Sequence, residues 1–322
     1  MTSTFRQIAP VAAFFVLVLA TPTILSHDYY YLSILTMAGI IAIIVMGLNL
    51  LLGFAGQISL GHAALFGISA YTTAILTGTH GLPLAVGVLS GVGLTALVAL
   101  VVGMPVLKLK GYYLAMATLG FGLIVYILFN EAIGLTGGPS GFVGIPHFQV
   151  GGFVFDSELS FFFLVWTTVT LVLLISLNLI HSRTGRALMA LHASDKAAQS
   201  MGINVARYKL FVFVLSAVYA GIAGVLYAHY LSFVAPSSFG FHFSVQLITM
   251  VVLGGMASLW GGIAGTVFLT VMPEFLRAYE NMEVIIYGLI LILCMMYLPQ
   301  GMAGGMKALI ALIRGRFNRV RS

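Results

Sequence analysis

Charge is what this sequence has least of. Of 322 residues only 7% are Asp, Glu, Lys or Arg, where soluble domains carry about 25%. Fourteen basic and eight acidic side chains are too few to cover the water-facing surface of a chain this long. Hydrophobic residues make up 61%, against roughly 45–50% in soluble domains. That balance excludes a soluble enzyme, a disordered chain and a nucleic-acid module. Cysteine is nearly missing as well. Cys294 stands alone in an apolar run, so neither an internal disulfide nor a cysteine-based metal site can form.

Several catalytic patterns are also absent. There is no Gly-x-x-x-x-Gly-Lys-Ser/Thr loop, so the chain is not expected to hydrolyse nucleotide itself. There is no His-Glu-x-x-His, and the eight histidines are scattered without ligand spacing. The Gly-x-Ser-x-Gly elbow is missing too. No catalytic residue, metal or cofactor is expected. The middles of the apolar segments hold no Asp, Glu, Lys or Arg, and such groups are the usual mark of ion coupling. An ion-coupled carrier acting alone stays as the alternative reading, and this absence counts against it.

What the chain does have is long apolar runs. A membrane-spanning helix needs about 20 mostly apolar residues. Ten segments qualify or come close, centred on 10–25, 32–52, 60–76, 84–107, 112–129, 161–180, 210–231, 243–259, 263–275 and 284–298. The expectation is an all-α polytopic membrane protein with eight to ten transmembrane helices in one domain, 1–322. Segments eight and nine are short and joined by Ser258-Leu259-Trp260-Gly261-Gly262. They are two short spans, or one broken or re-entrant pair over 243–276. The first segment has the outline of a secretory signal, with Val18-x-Ala20 as a weak cleavage pattern. An uncleaved anchor is expected, because its apolar run continues past Ala20 and Arg6 is the only basic residue ahead of it.

Excess Lys and Arg mark the cytoplasmic side. With ten alternating segments and both termini inside, 13 of the 14 basic residues fall in the cytoplasm, and only Arg277 lies outside. Fusing segments eight and nine would throw the basic tail, 306–322, to the wrong side. In the expected arrangement that tail lies along the inner membrane surface. Two connections exceed simple turns: a glycine-rich outer loop, 131–160, and a basic cytoplasmic loop, 181–209.

The basic loop is the most informative stretch. Ser194 can cap a helix starting at Asp195, whose charge suits the positive helix end, and Gly202 stands where a glycine would stop it. Two turns do not persist alone in water, so the helix must dock. Ala197, Ala198 and Met201 offer a face of small residues ringed by Lys196, Arg207 and Lys209. The occupant is either anionic lipid or a cytoplasmic partner. A second constellation follows the glycines Gly53 and Gly56. Gln57, Ser59 and His62 either line a polar path past a broken helix or satisfy one another and freed backbone groups. Asn49 has the same two readings, as path or as glue between helices. His229 and His242 are expected at the membrane interface. The pairs Gly87/Gly91 and Gly261/Gly265 have the spacing that lets helices pack closely.

Five runs carry a resemblance. Ala197-Ala198-x-x-x-Gly202 is similar to the Glu-Ala-Ala-x-x-x-Gly loop of ABC importer permeases, with Lys196 in place of Glu, Asp195 one position earlier and the trailing Leu-Pro missing. With it stand NLLLGFAGQISLGHA (49–63), LTGGPSG (135–141), MGINVARYK (201–209) and VLGGM (252–256). Over about residues 30 to 305 the chain resembles the M-type permeases of branched-chain amino-acid ABC transporters, whose relatives include urea and amide importers.

The resemblance implies a non-catalytic importer subunit in a bacterial inner membrane. It implies a second, related permease as partner, two cytoplasmic ATPases and a periplasmic substrate-binding protein. Arg186, Asp195, Lys196, Ala197, Ala198, Met201 and Gly202 would meet an ATPase. Asn49, Gln57, Ser59 and His62 would lie along the translocation path. Thr136, Gly137, Gly138 and Ser140, otherwise a set of tight turns, would meet the binding protein.

Overall fold

In lipid each backbone N–H and C=O must find its partner within the protein, which leaves helices as the economical answer for uncharged runs of this length. The computed structural model describes residues 2–24 and 29–276, with scattered positions between 288 and 304. The tenth expected segment lies almost wholly outside these residues, and the basic tail, 306–322, entirely so. Twelve α-helices are described: α1 (Thr2–Ile24), α2 (Tyr29–Asn49), α3 (His62–Ala74), α4 (Leu84–Val106), α5 (Tyr112–Glu131), α6 (Ile133–Thr136), α7 (Glu158–His181), α8 (Arg183–Ala193), α9 (Asp195–Ser200), α10 (Val205–Leu231), α11 (Phe241–Gly254) and α12 (Leu259–Leu276). Sheet is limited to two small antiparallel ladders, β1 (Phe142–Val143) with β4 (Phe233–Val234) and β2 (Gln149–Val150) with β3 (Phe153–Val154).

By length and composition five stretches suffice to cross a membrane: Tyr29–Phe54, Leu84–Val106, Tyr112–Glu131, Glu158–His181 and Val205–Leu231. Shorter apolar helices cover Pro10–Pro22, Phe241–Gly254 and Leu259–Phe275. An all-α membrane protein is therefore what the described residues form.

α2 is apolar all round and buried all round, as such a helix should be: Ala38 through Leu48 are closed off from solvent except Ile41. It is the central strut, packed by α7, α10, α11 and α12. α4 and α5 bury one narrow face each and leave Leu97, Val101, Ile124 and Ile127 exposed. On α4 that narrow face is made of small residues. A Cβ on Gly91 would lie 2.9 Å from Ser69 Oγ, and one on Gly87 2.7 Å from Thr77 Cγ2. These glycines are where α4 lies against α3, as their spacing implied.

Segments eight and nine are two helices folded back on each other. Gly254 packs against Gly261, and a Cβ on Gly265 would lie 2.7 Å from Met250 O. α11 has 14 residues, about 21 Å at 1.5 Å per residue, short of the roughly 30 Å hydrocarbon core. α11 alone is therefore too short to cross that core.

Candidate transport path and coupling surface

The polypeptide breaks where the glycines said it would. After Asn49 the helix loosens into a π-turn, Leu50–Phe54, a form that is frequent at functional sites. Gly56 then takes a left-handed φ of 65°, which glycine adopts without steric cost. Residues 57–61 run without helical hydrogen bonds until α3 starts at His62.

Side chains from three other helices supply what that stretch lacks. Leu60 N–H donates to Thr118 Oγ1 on α5 at 3.0 Å, and Ala63 N–H to Ser244 Oγ on α11 at 3.4 Å. His62 bonds Ser59 Oγ through Nδ1 at 2.9 Å and Ser216 Oγ on α10 through Nε2. Thr118 lies six residues into α5 from Tyr112 and Ser216 seven residues beyond Lys209, about 9 and 10.5 Å along their helices. The break is therefore inside the membrane layer.

Of the expected path residues, Ser59 and His62 satisfy each other. Asn49 is fully buried and spent on backbone. Its Nδ2 donates to Ser258 O (2.9 Å) and Gly255 O (3.3 Å), and its Oδ1 accepts Ala257 N–H at 2.9 Å. It joins the end of α2 to the α11–α12 turn. Gln57 differs: it is buried, and neither side-chain amide atom has a partner among the described residues. An unpaired buried amide costs about 1–3 kcal/mol, which makes it the one group of the four with bonding capacity left over.

On the basic face, three consecutive N-caps organise the loop. Ser182 Oγ accepts from Thr184 N and Gly185 N, Ser194 Oγ from Ala197 N, and Asn204 Oδ1 from Arg207 N. α9 ends as foreseen. Gly202 has φ 79°, its N–H reaches Gln199 O, and Ile203 N–H reaches Ala198 O, the paired closure of a Schellman motif. Asp195 binds Lys209 at 2.7 Å and Lys110 at 3.5 Å, tying α9 to α10 and to the α4–α5 connection.

One detail departs from the expected small-residue face. Ala198 is 1% exposed and points into the chain, while Lys196, Ala197, Met201 and Gly202 remain exposed, as does Arg186 on α8. A helix of this length holds together only by packing one side inward, and Ala198 is that side. α8 in turn buries Leu188 and Leu191, and its His192 sits on the break: a Cβ on Gly56 would lie 3.0 Å from His192 Nδ1.

Residues 30–297 match the family described as branched-chain amino acid transport system / permease component. The chain belongs to this family. It is 35% identical to the high-affinity branched-chain amino acid transport system permease protein LivM of Escherichia coli (strain K12), over 93% of this chain and 76% of that protein. To the LivH permease protein of the same strain it is 26% identical, over 84% of this chain and 92% of that one. The L-arabinose transport system permease protein AraH of the same strain is 33% identical over 36% of this chain and 35% of its own length. No solved structure matches.

On the face opposite the basic loop, the permease folds the 135–141 run into tight turns. Gly137, Gly138 and Gly141 take positive φ, and buried Thr136 donates to Phe129 O at 2.7 Å while accepting Gly138 N–H. Thr136 and Gly138 are thus inside and structural; Ser140 is exposed. β1 pins the loop to β4. His229, expected at the interface, is instead fully buried, bonding Thr73 Oγ1 at 3.0 Å and Pro146 O at 2.8 Å. The 131–160 loop folds over it, through Pro146, and takes it out of water. Sequence reasoning missed Thr118, Ser216, Ser244 and His192; each was visible only as a polar residue in a run, with nothing to show what it faced.

Proposed function

We propose that this permease moves branched-chain amino acids inward across a bacterial inner membrane as one half of a permease pair. Two ATPases supply the work from the cytoplasm, and a periplasmic binding protein presents the solute. Both termini lie in the cytoplasm, and the chain itself catalyses no chemical step. The observation that carries this reading is the direct seat of α8 on the broken segment through His192 and Gly56. α8 and α9 leave Arg186, Lys196, Ala197 and Met201 exposed for an ATPase. A push on them reaches the 55–61 break without an intermediary. The exposed Ser140 turn serves as the binding-protein contact.

The pairing has its own support. One E. coli strain has both LivM and LivH, two permease proteins named for the same transport system, and this chain is similar to each. The apolar cavity of about 890 Å³ bounded by Phe14, Trp166, Trp260 and Phe268 suits lipid chains better than a zwitterion and is left out of the path.

The test is reconstitution in vesicles. Leucine should accumulate only when this chain, its partner permease, the ATPases, the binding protein and ATP are all present. Accumulation by this chain alone, following a proton or sodium gradient, would establish the ion-coupled alternative and overturn the reading.

A further inference from the structure

α11 buries Ser244, Leu247, Met250, Val251, Leu253 and Gly254 and leaves the other side of its first turns, up to Thr249, uncovered. On that side His242 and Gln246 are exposed and Thr249 is half-buried, spaced i, i+4, i+7 along one helix face. Thr249 Oγ1 turns back to Val245 O at 2.9 Å. The Gln246 amide makes no hydrogen bond with the described residues.

Depth makes this unusual. Ser244 Oγ holds Ala63 N–H, so this part of α11 is level with the break, where Leu60 is bound by Thr118, about 9 Å along α5 from Tyr112. Gln246 follows Ser244 by two residues, about 3 Å nearer the basic face, and remains inside the hydrocarbon layer. Lipid tails offer an amide no partner, and an unsatisfied polar group there costs several kcal/mol. On α4 and α5 the exposed positions at a comparable distance from the basic face are apolar: Val101, about 8 Å from Val106, and Met116, about 6 Å from Tyr112. The break beside it holds a second unbonded amide, Gln57.

We propose that the α11 face bearing His242, Gln246 and Thr249 lines a water-filled solute path between this chain and its partner permease, with Gln246 as a solute contact. The inference rests on the transport reading above. An amide suits a zwitterion: its oxygen accepts from an ammonium and its N–H donates to a carboxylate. It has no net charge with which to trap either end.

The test uses the complete transporter with Cys294→Ser in this chain and Gln246→Cys or Val101→Cys added. The probe is a membrane-impermeant, negatively charged methanethiosulfonate, read as protection of this chain from later mass tagging. Gln246→Cys should react at least ten times faster than Val101→Cys, and saturating leucine during ATP turnover should slow it severalfold. Gln246→Leu should insert in normal amount and lose at least tenfold in uptake. Equal inertness of the two cysteines overturns the proposal, as does labelling that ignores the solute or full uptake by Gln246→Leu. If the unmodified complex fails to transport leucine yet Gln246→Cys still reacts and is protected by another solute, the path stands and the substrate assignment falls.

Discussion

Asn49 Oδ1 accepts the Ala257 N–H at 2.9 Å across 208 residues of sequence. Ala257 has a left-handed φ of 58°, a conformation that costs a non-glycine residue roughly 1–2 kcal/mol. The turn persists because one buried amide satisfies three of its backbone groups at once. Two of the sequence runs that carry the resemblance, 49–63 and 252–256, thus meet in the structure.

Asn49→Ala should therefore destabilise the protein by about 1–3 kcal/mol for each group left bare. Thermal unfolding in detergent measures it. Asn49→Asp keeps the acceptor but sets a carboxylate against two carbonyl oxygens, so it should be at least as damaging. A wild-type melting temperature for either variant would show that the turn is held by other means.

Gly53 and Gly93 make a contrasting pair. A Cβ on Gly53 would collide with Ala257 N and Asn49 Oδ1, whereas one on Gly93 meets nothing within 4 Å. Gly53→Ala is expected to lower the yield of folded protein sharply. Gly93→Ala should leave yield and uptake unchanged, since it faces open space on α4. Equal behaviour of the two would contradict the packing at the break.

Asp195 and Lys209 are only 19% and 12% exposed at their side chains, so theirs is not an ordinary surface pair of negligible worth. Asp195→Asn should cost about 1.5–3 kcal/mol of local stability, the range for a charge-assisted hydrogen bond. Its larger expected effect is on coupling, with ATP hydrolysis continuing while leucine uptake falls severalfold. Exchanging the two charges, Asp195→Lys with Lys209→Asp, should restore part of the uptake. An exchange variant no better than the single one would place the role of Asp195 elsewhere.

Ala197 and Ala198 are neighbours with opposite fates, one exposed and one buried. Ala197→Trp should leave the chain folded and inserted but abolish ATPase co-purification. Ala198→Trp overfills the inner side of α9 and should disorder the loop itself, seen as faster proteolysis between 182 and 209. If Ala197→Trp still binds the ATPases, the exposed face of α9 is not their seat.

Much of this was legible beforehand. The positions of the first nine apolar segments, the Ser194 cap, the Gly202 stop and the break at Gly53–Gly56 all follow from local rules. Length, absence of charge, a capping oxygen and a residue free to take positive φ need no knowledge of what lies nearby. The same rules erred for Ala198 and His229, because a single helix or loop does not say which of its sides another element will cover.

Sequence by itself determined that this chain lies in a membrane, is helical, breaks at two glycine-rich points and belongs to a permease family. These are consequences of solvent and backbone chemistry acting over a few residues. Only the tertiary structure decided that Asn49 is committed to the 255–258 turn, that His192 rests on Gly56, and that Gln246 is exposed with no hydrogen bond to the described residues. Those depend on helices far apart in the chain meeting at fixed heights, and hydrogen-bond geometry at about 3 Å settles which polar groups are used up and which are left over.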